Sequence, residues 1–199
     1  MKTSGPDGEF RVVCLGGSEG GLQAYMDILR SMPADTGMAF VVAAHRAPEN
    51  PQWLPLLLNE VTQMPVVEVK EGMRLEPNRV YLMPPRMDLT TTGNEFHLRT
   101  TAAPPGWPKT INLFLFSLAE AIGRRAVAVI LSGLDGDGSA ALKNIKAAGG
   151  LTFAQSDATC QSMPREAVET GHIDYLLTAT EIAKALSVLA HKPLPAGKS

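Results

Sequence analysis

Short runs of unbroken apolar residues punctuate this chain. Arg11–Leu15 (RVVCL) ends in glycines, Met38–Ala44 (MAFVVAA) ends at a histidine, and Ala126–Leu131 (AVAVIL) ends at Ser-Gly. Runs without polar alternation predict strands buried on both faces. Shorter strands are expected at Val66–Val69, Val80–Met83, Leu151–Ala154 and Ile173–Leu177. Between them the apolar spacing changes to the helical period over Gly21–Met32, Asn50–Val61, Ile111–Ile122, Ser139–Ala148 and Thr180–Leu189. Thr180 reads as the N-cap of the last helix. Leu89–Thr92 and Glu95–Leu98 flank Gly93-Asn94, which predicts a hairpin. This alternation predicts an α/β fold. It is a three-layer αβα sandwich on a mostly parallel, doubly wound sheet, with an inserted antiparallel hairpin. Residues 1–10 read as a lead-in, 11–190 as one domain and 191–199 as a tail.

Composition narrows the class. The chain has 199 residues, 45% hydrophobic and 19% charged, with a formal net charge of −2. That balance excludes general disorder and gives no basic footprint for nucleic acid. No apolar run approaches the roughly 18 residues of a membrane span, and the polar start carries no signal-peptide pattern. Two cysteines, Cys14 and Cys160, make no disulfide framework and show no metal spacing, so no metal or cofactor is expected. The expected compartment is the cytoplasm.

In doubly wound sheets, sites form beyond the carboxyl ends of the strands. The first strand runs into Gly16-Gly17-Ser18-Glu19-Gly20-Gly21 and then a helix. Read as G-x-S-x-G, this is a strand–turn–helix nucleophile elbow, with a tight, strained turn lifting the Ser18 hydroxyl clear of the sheet. The helix N-terminus behind it suits an oxyanion. It also suits phosphate, although no Lys-Ser/Thr follows and the glycine spacing misses the dinucleotide fingerprint. Of the four histidines, only His45 directly follows a central strand at that edge. His97 falls in the hairpin, His172 precedes a strand, and His191 lies in the tail. The third central strand ends in Ser132-Gly133-Leu134-Asp135-Gly136-Asp137-Gly138. A base needs an orienting carboxylate, and either Asp135 or Asp137 meets that need. The alternative role for either is to cap the next helix. The order Ser…His…Asp differs from that of α/β-hydrolases, so the chemistry belongs to another fold.

These phrases, together with Glu71-Gly72-Met73-Arg74, Val80-Tyr81-Leu82-Met83-Pro84-Pro85 and Met163-Pro164-Arg165-Glu166-Ala167, carry a resemblance. The chain resembles the catalytic domain of CheB, the chemotaxis protein-glutamate methylesterase, from about Arg11 to Leu189. Met32–Gly37 and Gly171–Tyr175 look closest to the esterase segment of CheB–CheR fusion proteins. The resemblance implies a triad at Ser18, His45 and Asp137, its G-x-x-x-D-G pattern selecting Asp137 over Asp135. It implies hydrolysis of glutamyl methyl esters on chemoreceptor helices, and some family members also deamidate receptor glutamines. Glu19 and Leu134 are expected to supply oxyanion amides, and Arg165 resembles a position near the site. The implied partners are methylated chemoreceptor helices or a similar methylated protein, beside a CheR-type methyltransferase system. No nucleic acid, membrane insertion or cofactor is implied. No phosphoryl-receiver domain is expected in this sequence.

Three departures from the family pattern stand out. Glu19 replaces a small residue after the serine, Asn112 stands where a carboxylate is usual, and Arg46 follows the histidine where an apolar residue is common. Glu19 and Asn112 favour a rival reading, a catalytically weak receptor-binding module. Other rivals are a phosphate- or nucleotide-binding domain and an esterase acting on a different ester.

Overall fold

The protein is described here from a computed structural model covering residues 9–44, 53–101 and 109–194. Nine strands and six α-helices follow one another in these segments. The strands are β1 (Arg11–Gly17), β2 (Met38–Ala44), β3 (Val66–Glu68), β4 (Arg79–Leu82), β5 (Met87–Thr92), β6 (Glu95–Thr100), β7 (Ala126–Ile130), β8 (Leu151–Gln155) and β9 (Tyr175–Leu177). The helices are α1 (Leu22–Arg30), α2 (Trp53–Val61), α3 (Thr110–Ile122), α4 (Leu142–Ala147), α5 (Ser162–Glu169) and α6 (Ala179–Ala190).

Seven strands form one sheet in the order β3-β4-β2-β1-β7-β8-β9, and every pairing is parallel. Along β1 the side chains alternate between two apolar layers. Val13 and Leu15 face α1, α2 and α6, meeting Ile28, Leu58 and Leu186 in one cluster. Val12 and Cys14 face the opposite layer, where α3, α4 and α5 contribute Phe114, Leu115, Ile145 and Met163. Burial on both faces explains the unbroken apolar runs. β5 and β6 pair separately as the expected hairpin, with Thr92 opposite Glu95 and Gly93 at φ +55°. Leu89 and Phe96 press this hairpin onto the α3 side, and the Phe96 ring meets Tyr81 edge-on at 5.0 Å.

Three local expectations need correction. The helix expected over Ser139–Ala148 opens with a 3-10 turn, Ser139–Ala141, before α4 begins. The cap of α6 is Thr178, not Thr180. Its hydroxyl accepts the Glu181 N–H at 3.3 Å, and the Glu181 carboxylate accepts the Thr178 N–H at 2.9 Å. This capping box satisfies two otherwise orphaned donors, which a threonine inside the helix cannot do. Helix α5 has no counterpart among the expected elements, because Pro164 breaks its pattern. Proline is tolerated there because it falls in the first turn, where no intrahelical donor is required.

Arg11 ties the ends of the domain together. Its guanidinium is buried and donates to the carbonyls of Leu189 at 3.1 Å, Lys192 at 2.9 Å and Pro193 at 2.9 Å. A cation there also complements the carboxyl end of α6.

Tyr25 carries an energetic cost. It is 2% exposed, and its hydroxyl finds no hydrogen-bond partner among the described residues. Burial, with a smaller contribution from Cys14, pushes that hydroxyl far above the usual tyrosine range. Tyr25→Phe removes an unsatisfied polar group while keeping the ring. It is expected to raise the unfolding free energy by about 1 kcal/mol, read as a higher urea midpoint at unchanged slope.

Candidate active site

The chain leaves β1 in one direction to build β2, β4 and β3, and later places β7 on the other side of β1. The switch point therefore lies beyond the carboxyl ends of β1 and β7, where open α/β sheets bind ligands. Ser18 follows β1 and the 131–138 loop follows β7, so the topology brings them together. The parallel pairing continues past both strands. Leu131 N–H donates to Gly16 C=O at 2.8 Å, and Ser18 N–H donates to Ser132 C=O at 2.9 Å.

Ser18 opens a β-turn in which Gly21 N–H donates to Ser18 C=O at 3.1 Å. Gly20 is the third residue of this turn, at φ +74°, the left-handed conformation that glycine supplies there. A Cβ at Gly20 would also stand 2.7 Å from Ser132 Oγ. The strain expected at the nucleophile is absent. Among the described residues, the non-glycine positions with positive φ are Asn78 and Arg86, so the tight geometry is taken up by Gly20 and not by Ser18. A parallel neighbour that already receives the Ser18 N–H holds the serine without a strained backbone.

Ser132 ties the two loops into one unit. It is fully buried, its hydroxyl donates to Glu19 C=O at 2.8 Å, and it accepts Cys160 N–H at 2.9 Å. The Glu19 side chain is exposed. The Ser18 hydroxyl sits between two neighbours. Leu134 N–H donates to Ser18 Oγ at 3.3 Å, and the Ser18 hydroxyl donates to Met163 Sδ at 3.7 Å. The Leu134 side chain is 56% exposed, so only its backbone faces the serine. Arg165 is exposed on α5, and its guanidinium lies 3.8 Å from the Glu169 carboxylate.

Asp137 is 3% exposed. Its Oδ2 accepts Ile111 N–H at 2.9 Å, and its Oδ1 accepts Asn112 N–H at 2.9 Å and Gly138 N–H at 2.9 Å. It therefore does cap a helix, but the helix is α3, 25 residues earlier, and not the one that follows. The need for a distant cap is visible at the start of α3, where Lys109 in the cap position makes no side-chain capping bond. A carboxylate offers about four acceptor directions, so these amides do not saturate it. Asp135 is less buried, and its Oδ1 accepts Asp137 N–H at 3.2 Å, which braces the loop. Asn112 turns its Oδ1 inward to accept Ala141 N–H at 3.1 Å. The carboxamide at this position thus keeps the acceptor a carboxylate would provide.

His45 lies outside the described residues. The other three histidines are placed away from Ser18. His97 Nδ1 is 3.3 Å from Glu71 on the hairpin, His172 precedes β9 with its carbonyl accepting Thr152 Oγ1–H, and His191 ends α6. Cys14 is 1% exposed inside the sheet, and burial, with Asp137 nearby, pushes its thiol far above the ordinary range. A thiol that stays protonated is no nucleophile. Ser132 and Met163 lie within the motifs quoted above, but those motifs assign them no role, and the α3 amides lie outside those motifs, because all these roles depend on contacts distant in sequence.

Residues 13–186 match the CheB methylesterase family. The chain belongs to this family. The protein-glutamate methylesterase/protein-glutamine glutaminase of Pectobacterium atrosepticum is 29% identical over 182 residues, covering 88% of this chain and 52% of that protein. A second relative of that name from Pseudomonas aeruginosa is 32% identical over 182 residues, again covering 88% of this chain and 52% of its own length. The chain thus spans about half the length of these curated relatives. The crystal structure of the Thermotoga maritima CheB methylesterase catalytic domain superposes with a TM-score of 0.83 at 26% identity, covering 91% of this chain and 99% of that one. The chain therefore has the α/β fold of the CheB catalytic domain. Among the described residues, no helix is long and apolar enough to cross a membrane.

Proposed function

We propose that this chain is a serine esterase that hydrolyses glutamyl methyl esters on chemoreceptor-type proteins and releases methanol. The observation that carries the reading is the pairing of Ser18 with the β7 loop at the switch point, with its Oγ 3.3 Å from Leu134 N–H. A hydroxyl beside a backbone donor is what acyl transfer needs, since the donor can follow charge onto the developing oxyanion.

His45 directly follows β2 in the sequence and is the proposed base. It takes the Ser18 proton as Oγ attacks the ester carbonyl, then returns it to the departing methoxide. Asp137 is the proposed orienting carboxylate, which holds the imidazole tautomer and stabilises the imidazolium. Its negative charge is in turn supported by the α3 amides, where a helix N-terminus favours an anion. Water then repeats the cycle on the acyl-serine and leaves glutamate. A primary amide can enter the same cycle with ammonia as the leaving group, so glutamine deamidation belongs to the same proposal. The proposed partner is a methylated chemoreceptor helix, and the proposed compartment is the cytoplasm.

The features that favoured a weak binding module lose their force. Glu19 is exposed, and the Asn112 carboxamide is occupied inside the fold. The test is methanol release from receptor membranes carrying labelled methyl esters. Time-dependent release proportional to the chain's concentration is expected. No release from a folded sample, beside a competent control esterase, would overturn the assignment.

A further inference from the structure

Met163 stands where the nucleophile and its backbone donor meet. It is fully buried in the second turn-forming position of α5, and its thioether receives the Ser18 hydroxyl at 3.7 Å. Its backbone is engaged as well. Met163 N–H donates to Gly133 C=O at 3.1 Å, and Gly133 N–H donates to Cys160 C=O at 3.0 Å. Both polar groups of Gly133 are thereby held, one by Cys160 just before α5 and the other by Met163 in its first turn.

This arrangement has a geometric consequence. In a trans peptide, C=O and N–H point in opposite directions. Once Met163 holds Gly133 C=O, the other end of that peptide, Leu134 N–H, must point the other way, toward Ser18 Oγ. The largely exposed Leu134 side chain cannot set this direction by packing. The space above Gly133 is given to the same methionine. A Cβ there would lie 1.9 Å from Met163 Sδ and 2.8 Å from Ser18 Oγ.

We propose that Met163 is the positioning residue of this site: its backbone N–H aims the Leu134 amide, and its thioether holds the Ser18 hydroxyl in place for attack. The inference rests on the reading of Ser18 as the nucleophile. A thioether is a weak acceptor. It orients the hydroxyl yet surrenders the proton readily to a stronger base, which a carboxylate or carbonyl in that position would not do.

The test separates the sulfur from its volume. Met163→Leu removes the acceptor at similar size. Norleucine, supplied in place of methionine during expression, replaces sulfur by methylene and keeps the shape at all nine methionines. The readouts are kcat and KM for methanol release and the rate at which a fluorophosphonate labels Ser18, with urea midpoints as a check on folding. Met163→Leu is expected to lower kcat and the labelling rate about three- to tenfold with KM unchanged. Norleucine in the parent chain should reproduce that loss, and in the Met163→Leu background it should add nothing.

Parental rates in both the Met163→Leu and norleucine proteins would overturn the proposal. A loss in Met163→Leu that norleucine does not reproduce would also overturn it, by assigning the effect to packing. Ser18→Ala run in parallel distinguishes the two levels. If Ser18→Ala still turns over, the nucleophile reading itself has failed. If it is inactive while the methionine replacements are silent, only the role of Met163 falls.

Discussion

Ser18→Ala is expected to release no methanol above background from methyl-labelled receptor, a loss of at least about 10⁴-fold, while unfolding over the same urea range as the parent. The structural work of this residue is done by its backbone. Ser18 N–H donates to Ser132 C=O, and Ser18 C=O accepts Gly21 N–H. Alanine keeps both. The hydroxyl itself makes one long contact to Met163 Sδ and accepts one amide from Leu134. Losing these should cost about 1 kcal/mol of stability or less. Activity and stability therefore separate cleanly, with methanol release following one and urea unfolding the other. Persistent turnover would require another nucleophile, and Cys14 is excluded by its burial and its protonated thiol.

Asp137→Asn should be nearly as severe for turnover and worse for folding. Three N–H groups converge on the two oxygens of Asp137 from Ile111, Asn112 and Gly138. A carboxamide has a single acceptor oxygen, so its NH₂ must face at least one of these donors. The conflict is buried, and it should cost about 1–3 kcal/mol. The lost charge also removes the orienting partner proposed for His45, for which a rate loss of about 10³–10⁴ is expected. Asp135→Asn behaves differently. Its amide still offers an oxygen to Asp137 N–H, so a loss of about tenfold or less is expected, within the value of one ordinary hydrogen bond. Equal losses in the two variants would remove the distinction between the acids and the geometric reason for preferring Asp137.

Several features could be read directly from the residues. Val12–Leu15, Met38–Ala43 and Ala126–Ile130 are buried on both faces of a parallel sheet, so no polar alternation interrupts them. Gly93-Asn94 marks its hairpin because the turn needs φ > 0 at its first central residue, and Gly93 supplies it. Ser18 was visible because it follows such a strand and precedes a helix. The α6 cap lies at Thr178, two residues before the Thr180 that the sequence suggests, because the two threonines look alike until the Glu181 side chain shows which one it faces. Helix α5 leaves no clear sequence signal, since Pro164 reads as a break and is harmless only because it falls in the first turn.

By itself, then, the sequence determined the α/β layering, the strand ends that carry chemistry, and serine as the candidate nucleophile, because burial and turn chemistry are local and leave a periodic trace. The tertiary structure alone decided which acid is sequestered, how Ser18 is held without backbone strain, and that Met163 reaches it. These depend on contacts that span 25 to 145 residues, and nothing in the spacing of residues along the chain encodes which amide a carboxylate will face once the sheet has formed.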